Sequence, residues 1–454
     1  MVASTSSDET PRPAASQGYR LYVVGVLFVA YVFSYVDRTI LTLLVKPIRE
    51  SLRISDTQVS LLHGLAFAIF YTVLGIPIAR LADRANRVRI IATGIVVWSA
   101  MTALCGLARN FWQLFLARVG VGVGEAALSP AAYSILGDYY RGPALARALS
   151  LYTSAIYIGA GLALMIGGAL IASVQPMHLP VVGRLEPWQV VFLFVGLPGL
   201  LVALLMRTVR EPPRTALATR GGAGRQGGEA PDSSPGLPLP EVLRYLRTHA
   251  GAYGLLIVAF SVAALLWNGA MAWIPTFFIR QHGWTPAEVG LRFGPVLLVC
   301  GTAGVIFGGL LGGWFAARGY RDANPRVGLV SAALILPAGL LAPTLDGAGA
   351  SLAAFAVFCF AGSMPYGAAG AALTEITPNQ MRAQVIALYF LVQNLAGIGL
   401  GPTVVAVLTD RLFGDDLAVG QSLMVVTAVA APLSLLLVGL SLKPFRRCIA
   451  ALEF

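Results

Sequence analysis

Four charged residues stand inside apolar runs: Asp37 and Arg38 within "YVFSYVDRTILTLLV", and Arg118 and Glu125 within "FWQLFLARVGVGVGEAALSP". A lone ionised side chain at the centre of a membrane helix costs roughly 2.5–3.5 kcal/mol, so four unpaired ones would cost about 10 kcal/mol. Their formal charges sum to zero, and facing one another removes most of that cost. Arg118 and Glu125 share a helix face but stand roughly 10 Å apart along its axis, too far to bond directly. Each therefore looks for a partner on another helix. Adjacent Asp37 and Arg38 point about 100° apart and serve different partners. The chemistry open to such a set is proton exchange. A carboxylate that gains a proton leaves net positive charge behind, which is a switch. The competing reading is a static ion-pair network that fixes helix packing.

These residues need helices to carry them. The chain has 454 residues, 57% of them hydrophobic and 12% charged, with mean hydropathy +0.75. No soluble protein of this size hides that much apolar surface. Runs of about 20 apolar residues each span a bilayer. Twelve are predicted: 20–46, 57–82, 89–108, 111–138, 145–173, 188–209, 248–280, 286–317, 326–346, 350–375, 380–409 and 419–442. The fold class is therefore all-α membrane protein, with two pseudo-symmetric six-helix bundles at 20–210 and 248–443. A linker, 211–247, joins them, rich in Gly, Pro and Ser, with "EVLRYLRTH" near its end as a short helix. Residues 1–19 and 444–454 are tails, and the polar N-terminus does not read as a signal peptide. The net charge is +11, almost all of it arginine. With the termini inside, the inner segments hold 22 Lys and Arg and the outer segments eight, so both termini are expected in the cytoplasm. The four cysteines show no CxxC spacing and read as packing residues.

The halves repeat. "DYYRGPALARALSLY" (138–152) and "EITPNQMRAQVIALY" (375–389) each open on an acid and close on Leu-Tyr, 237 residues apart. The same offset carries "RLADRANRVR" onto "ARGYRDANPR". Duplicated halves in a membrane protein point to a transporter with its site between the repeats. The offset sends Asp37 to Ile274 and Glu125 to Gly362, so the second half builds the same architecture without these charges.

"GIPIARLADRANRVR" (75–89) resembles the signature loop of the major facilitator superfamily, with Ala85 and Asn86 where a glycine usually follows Asp-Arg. Its candidate cytoplasmic gate residues are Gly75, for close helix packing, and Asp83, Arg84 and Arg87, as a charged latch between the halves. Arg118 with Gly122 and Gly124 fits a second signature. "GAGLALMIGG" is only partly like an antiporter motif, lacking its Gly-Pro step. Read together, "YVDRTI", "LADRANR" and "RVGVGVGEAALSP" resemble the spinster family within that superfamily. The resemblance implies a secondary transporter of lysolipids or sphingoid lipids, driven or gated by protons, with the four charges facing one another across spans 1 and 4. Their placement in apolar spans, their zero sum and their absence from the second half make Asp37 and Glu125 the expected proton-responsive pair, with Arg38 and Arg118 as charge partners in the cavity.

His63 is a weaker candidate for proton exchange. Trp267, Asn268, Gln393 and Asn394 are candidates to line the cavity from the second half, although amides on membrane helices often only bond a neighbour. Glu375 reads as a loop or gate residue. The runner-up function is proton symport of small organic anions such as sugar acids, with Arg38 and Arg118 binding the carboxylate. A membrane sensor or lipid enzyme is a further class, but no HExxH, GxSxG or P-loop appears. The expected partners are protons, the transported molecule and the bilayer of a bacterial inner membrane. No cofactor, metal or nucleic acid is expected, and the protein is expected to act as a monomer.

Overall fold

The computed structural model describes residues 16–141, 143–180, 183–212, 238–378 and 380–452. Twelve of its helices are long and apolar enough to cross a bilayer. They are, as spans 1 to 12, Gln17–Leu43, Asp56–Ala82, Arg87–Cys105, Phe111–Tyr139, Arg147–Ser173, Pro187–Arg207, Ala250–Gln281, Pro286–Ala317, Ala323–Thr344, Ala348–Glu375, Gln384–Phe413 and Asp416–Ala451. In hydrocarbon every backbone N–H and C=O must be satisfied internally, and the helix does that within one segment. Span starts are set by polar caps. Ser55 and Gln58 form a capping box before span 2, Asn86 caps span 3 by accepting from the Arg89 N–H at 2.8 Å, and Asn110 caps span 4. Large apolar residues such as Leu116, Leu201, Leu291 and Leu310 are exposed around the outside, where a bilayer covers them.

An even number of spans returns the chain to the side where it began. That side is called here the terminal side, and the opposite one the far side. The repeat seen in the sequence is built into the helices. Span 4 is interrupted after Glu125 at Ala126–Ala127, and span 10 is interrupted at Met364, 237 residues after Ala127. At the terminal side, Arg87 bonds Asp138, and Asn324 donates to Glu375 at 2.6 Å. The same 237-residue offset separates Arg87 from Asn324 and Asp138 from Glu375.

The halves meet along spans 5 and 8 with no side chain between them at two points. A Cβ on Gly290 would lie 2.3 Å from the Leu164 carbonyl oxygen, and one on Gly168 would lie 2.6 Å from that of Pro286. Only glycine permits that approach.

Two features depart from the sequence reading. Span 12 was expected to stop at 442 and leave a tail, yet the helix runs on to Leu452 through Pro444. The reason is packing. Phe445 and Cys448 are buried in a cluster with Val242 and Leu246 of the linker helix, Leu239–Thr248, and Arg446 lies 3.7 Å from the buried Asp322. The linker helix itself matches the expectation for "EVLRYLRTH", whereas 213–237, like the N-terminal residues 1–15, lies outside the described residues. Between spans 5 and 6 a two-stranded antiparallel hairpin, Met177–Leu179 with Gly183–Leu185, was not foreseen.

Candidate functional site

Span 1 presents Ser34 and Arg38 one turn apart, so both reach the same atom. Glu125 Oε2 accepts from Ser34 Oγ and from Arg38 Nε, each at 2.5 Å. The carboxylate is fully buried, and its Oε1 has no hydrogen-bond partner. The Arg38 guanidinium also lies over three aromatic faces, 4.3 Å from the Phe67 ring centre, 4.9 Å from Tyr71 and 5.0 Å from Tyr35. Ring faces are negative and stabilise a cation removed from water.

Asp37 points away, as the helix geometry requires. Its Oδ2 accepts from Thr102 on span 3 at 3.1 Å, and its Oδ1 is unpartnered. Arg118 reaches span 1 but not through a carboxylate. It donates to the Asp37 main-chain oxygen at 3.2 Å and to that of Leu62 at 3.4 Å. The four charges are thus one buried cluster with one direct ion pair, and each acid keeps an oxygen without a bond. Gly122 lets span 4 settle this close to span 2, since a Cβ there would meet the Phe67 carbonyl oxygen at 2.7 Å.

A cavity of about 150 Å³ lies between the halves. Arg38, Thr42 and His63 give it a polar wall, Asn268 and Trp267 face them, and Ile156, Leu164, Met271 and Leu297 make the rest apolar. Trp267 and Asn268 are where the sequence reading placed them. Gln393 and Asn394, half-buried on span 11, are not among the lining residues, and the π-helical turn Leu395–Leu400 brings Ile398 to the cavity instead. His63 borders the cavity with its Nε2 unpartnered. Where the first half has Glu125 the second has Gly362, and the Trp267 ring occupies the space a Cβ there would fill, 2.3 Å away.

Tyrosines continue from the cavity. Tyr31 stacks on Tyr152 at 4.6 Å, Tyr133 meets Tyr152 edge-on, and Tyr157 touches both Trp267 and Tyr366. The sequence reading did not single them out, because tyrosines scattered over four spans show no local pattern.

The far side is shut by charges that sequence counting assigned only to topology. Arg280 of span 7 grips Asp56 of span 2 at 2.6 and 2.8 Å. Arg49 bonds Asp416 at 2.6 Å and lies 3.2 Å from Asp56. Asp410 accepts from the Thr57 N–H and hydroxyl at 2.7 and 2.6 Å. Oxygens of Asp56, Asp410 and Asp416 lie within 4.8 Å of one another, and the two guanidinium groups supply their counter-charge.

The candidate gate on the terminal side is differently placed. Arg87 is buried in its own half, bonded to Asp138, to Ser134 at 2.8 Å, to Glu211 at 2.6 Å and to the Pro212 oxygen at 3.1 Å. It ties span 3 to the end of span 4 and the start of the linker rather than one half to the other. Among the described residues nothing lies within 4 Å of a Cβ on Gly75, so none of the described helices packs closely there, and Arg84 is exposed. The Asp83 side chain lies outside the described residues. The cysteines are free thiols.

The profile of the Major Facilitator Superfamily matches residues 27–402. An "MFS-type efflux pump" of Mycolicibacterium smegmatis is 27% identical over 436 residues, covering 93% of each chain. "Protein spinster homolog 1" of Xenopus laevis is 27% identical over 440 residues, 90% of this chain and 79% of that one. Among solved structures, a bacterial homologue of the human lysosomal transporter Spinster, in an inward-facing and unoccupied conformation, is 29% identical, covers 96% of this chain and 98% of that one, and superposes with a TM-score of 0.75. Its relatives are transporters and not enzymes, its twelve spans and repeated halves are theirs, and the chain belongs to the Major Facilitator Superfamily as a spinster-like transporter.

Proposed function

We propose that this transporter moves an amphipathic lipid, of lysolipid or sphingoid type, by alternating access, with protons exchanged at Glu125 and Asp37. The observation that carries the reading is the Arg38–Glu125 pair, which joins the buried cluster to the cavity wall. A proton taken by Glu125 removes the charge that holds Arg38. The guanidinium then turns to the cavity, where an anionic headgroup is its next partner. The apolar remainder of the wall suits a chain. A space of about 150 Å³ takes a headgroup or part of a chain, so the rest of the molecule extends past the tyrosines.

The excess of Lys and Arg in alternate loops supports termini in the cytoplasm of a bacterial inner membrane, which makes the far side periplasmic. When the far side opens and the terminal side closes, Asp83, Arg84 and the loop that Arg87 anchors form the opposite latch. The transporter works as a monomer, since the site is complete within one chain.

The deciding experiment is transport in proteoliposomes under an imposed proton gradient, with a lysophospholipid and a sugar acid offered separately. Proton flux coupled to the lysophospholipid alone is the expected result. Flux with the sugar acid alone replaces the lipid reading by organic-anion symport, and substrate movement indifferent to the proton gradient ends the coupling reading.

A further inference from the structure

A second cavity, of about 760 Å³, opens on the outer flank of the first half between the terminal-side ends of spans 3 and 6. Its mouth carries Asn86 and Arg89 from one helix and Arg207 from the other. Glu211 also lines it, but both carboxylate oxygens are engaged, one by Arg87 at 2.6 Å and the other by the Val88 N–H at 3.0 Å. Arg89 and Arg207 are exposed and form no ion pair among the described residues. Two cations therefore face the cleft with no ion pair of their own among the described residues. Seven residues inward from each, roughly 10 Å along the helix axis, the lining becomes Val96 and Leu200, with Leu204 beside them. These apolar residues are partly exposed and look outward to the acyl region.

We propose that this cleft binds an anionic phospholipid of the surrounding leaflet, with its phosphate between Arg89 and Arg207 and its chains along Val96, Leu200 and Leu204. The polarity of the cleft runs in the same direction as that of a phospholipid: cationic at the depth of the headgroups, apolar at the depth of the chains. Arginine suits a phosphate because its planar fork offers paired donors. The site stands apart from the central cavity, so the lipid it binds is independent of the substrate that cavity carries. Its rim includes both the loop between spans 2 and 3 and the start of the linker, so a bound lipid braces the segments that Arg87 and Glu211 already tie together.

The test is native mass spectrometry of the purified full chain with phosphatidylglycerol and phosphatidylcholine of identical chains. The wild-type protein should retain phosphatidylglycerol roughly 25-fold better, from about fivefold for each of two arginines near an anionic headgroup. The double variant Arg89→Gln/Arg207→Gln should lose that preference. Leu204→Trp, which fills the apolar end and keeps both charges, should lose it too, and it decides the matter if the double variant does not fold. Inorganic phosphate at millimolar concentration should displace nothing. Equal retention of the two lipids, a preference that survives either variant, or displacement by inorganic phosphate overturns the proposal.

Discussion

Arg280 closes on Asp56 with both terminal guanidinium nitrogens, across the seam between the two halves and 224 residues away in sequence. The Asp56 side chain is fully buried, and that of Arg280 is 10% exposed. Breaking a buried pair by removing one partner costs about 3–5 kcal/mol, because the other charge is stranded. That is at least two powers of ten in the ratio of closed to open far side. Asp56→Asn should therefore open the far side. Spin labels at Glu50→Cys and Asp415→Cys, exposed on opposite halves, should show a longer distance population. Distances unchanged from the wild type would mean that other contacts hold the far side shut.

Glu125→Gln should behave as the protonated form. It keeps the volume and removes the charge that Arg38 and Ser34 hold at 2.5 Å. In the proposed mechanism, the proton-loaded population of the wild type grows as pH falls and Arg38 is released. In the variant that release has already happened, so transport should lose most of its pH dependence. One modest pKa difference between two states does not supply the roughly 5.5 kcal/mol that a complete switch needs, so Asp37→Asn should flatten the profile in part. Wild-type pH profiles in both variants would leave the cluster a packing device.

Arg87→Gln should destabilise the first half more than Asn324→Ala destabilises the second. Arg87 neutralises Asp138 and Glu211 together. Without it two carboxylates face each other with little water between them, a loss of about 3 kcal/mol. Asn324 is uncharged and gives the Glu375 carboxylate one hydrogen bond, worth about 1.5 kcal/mol at this part-exposed position. Thermal unfolding in detergent should show a clearly larger fall in Tm for Arg87→Gln. Equal falls would mean that the two repeats use this position alike.

The linker should divide into a dispensable and an indispensable part. Deleting a few residues between 216 and 230, a stretch dominated by Gly and Ala, should leave transport near the wild-type rate. Val242→Asp should not, because Val242 is buried against the cluster that contains Phe445 and Cys448, and burying an unpaired charge there costs several kcal/mol. Expression and Tm distinguish the two. Loss of transport in a well-folded short-linker variant would give the linker a role beyond tethering.

The helices were legible because a bilayer leaves the chain one option. An apolar run must be helical, and the twelve span limits differ from those expected by only a few residues at most ends. The buried charges were legible for the same reason, since a charge in such a run stands out. What each charge touches was not. Ser34 reaches Glu125 only because it sits one turn before Arg38, and a serine in an apolar run carries no mark. The far-side pairs join residues 224 and 367 positions apart, and no local pattern encodes that. The last span was expected to end at 442, and Pro444 just beyond removes a helical hydrogen bond. The helix continues since Phe445 finds a buried seat beyond it, and tertiary packing outweighs local preference.

The glycine contacts between spans 5 and 8 give the molecule a fulcrum. Where Gly290 meets Leu164 and Gly168 meets Pro286, backbone lies on backbone, and at these two points no side chain interlocks the helices. The far-side clamp and the latch proposed for the terminal side are then two arms of one balance. Tightening either arm loads the other, so a substitution at Asp56 is felt some 40 Å away, at a membrane face it never touches.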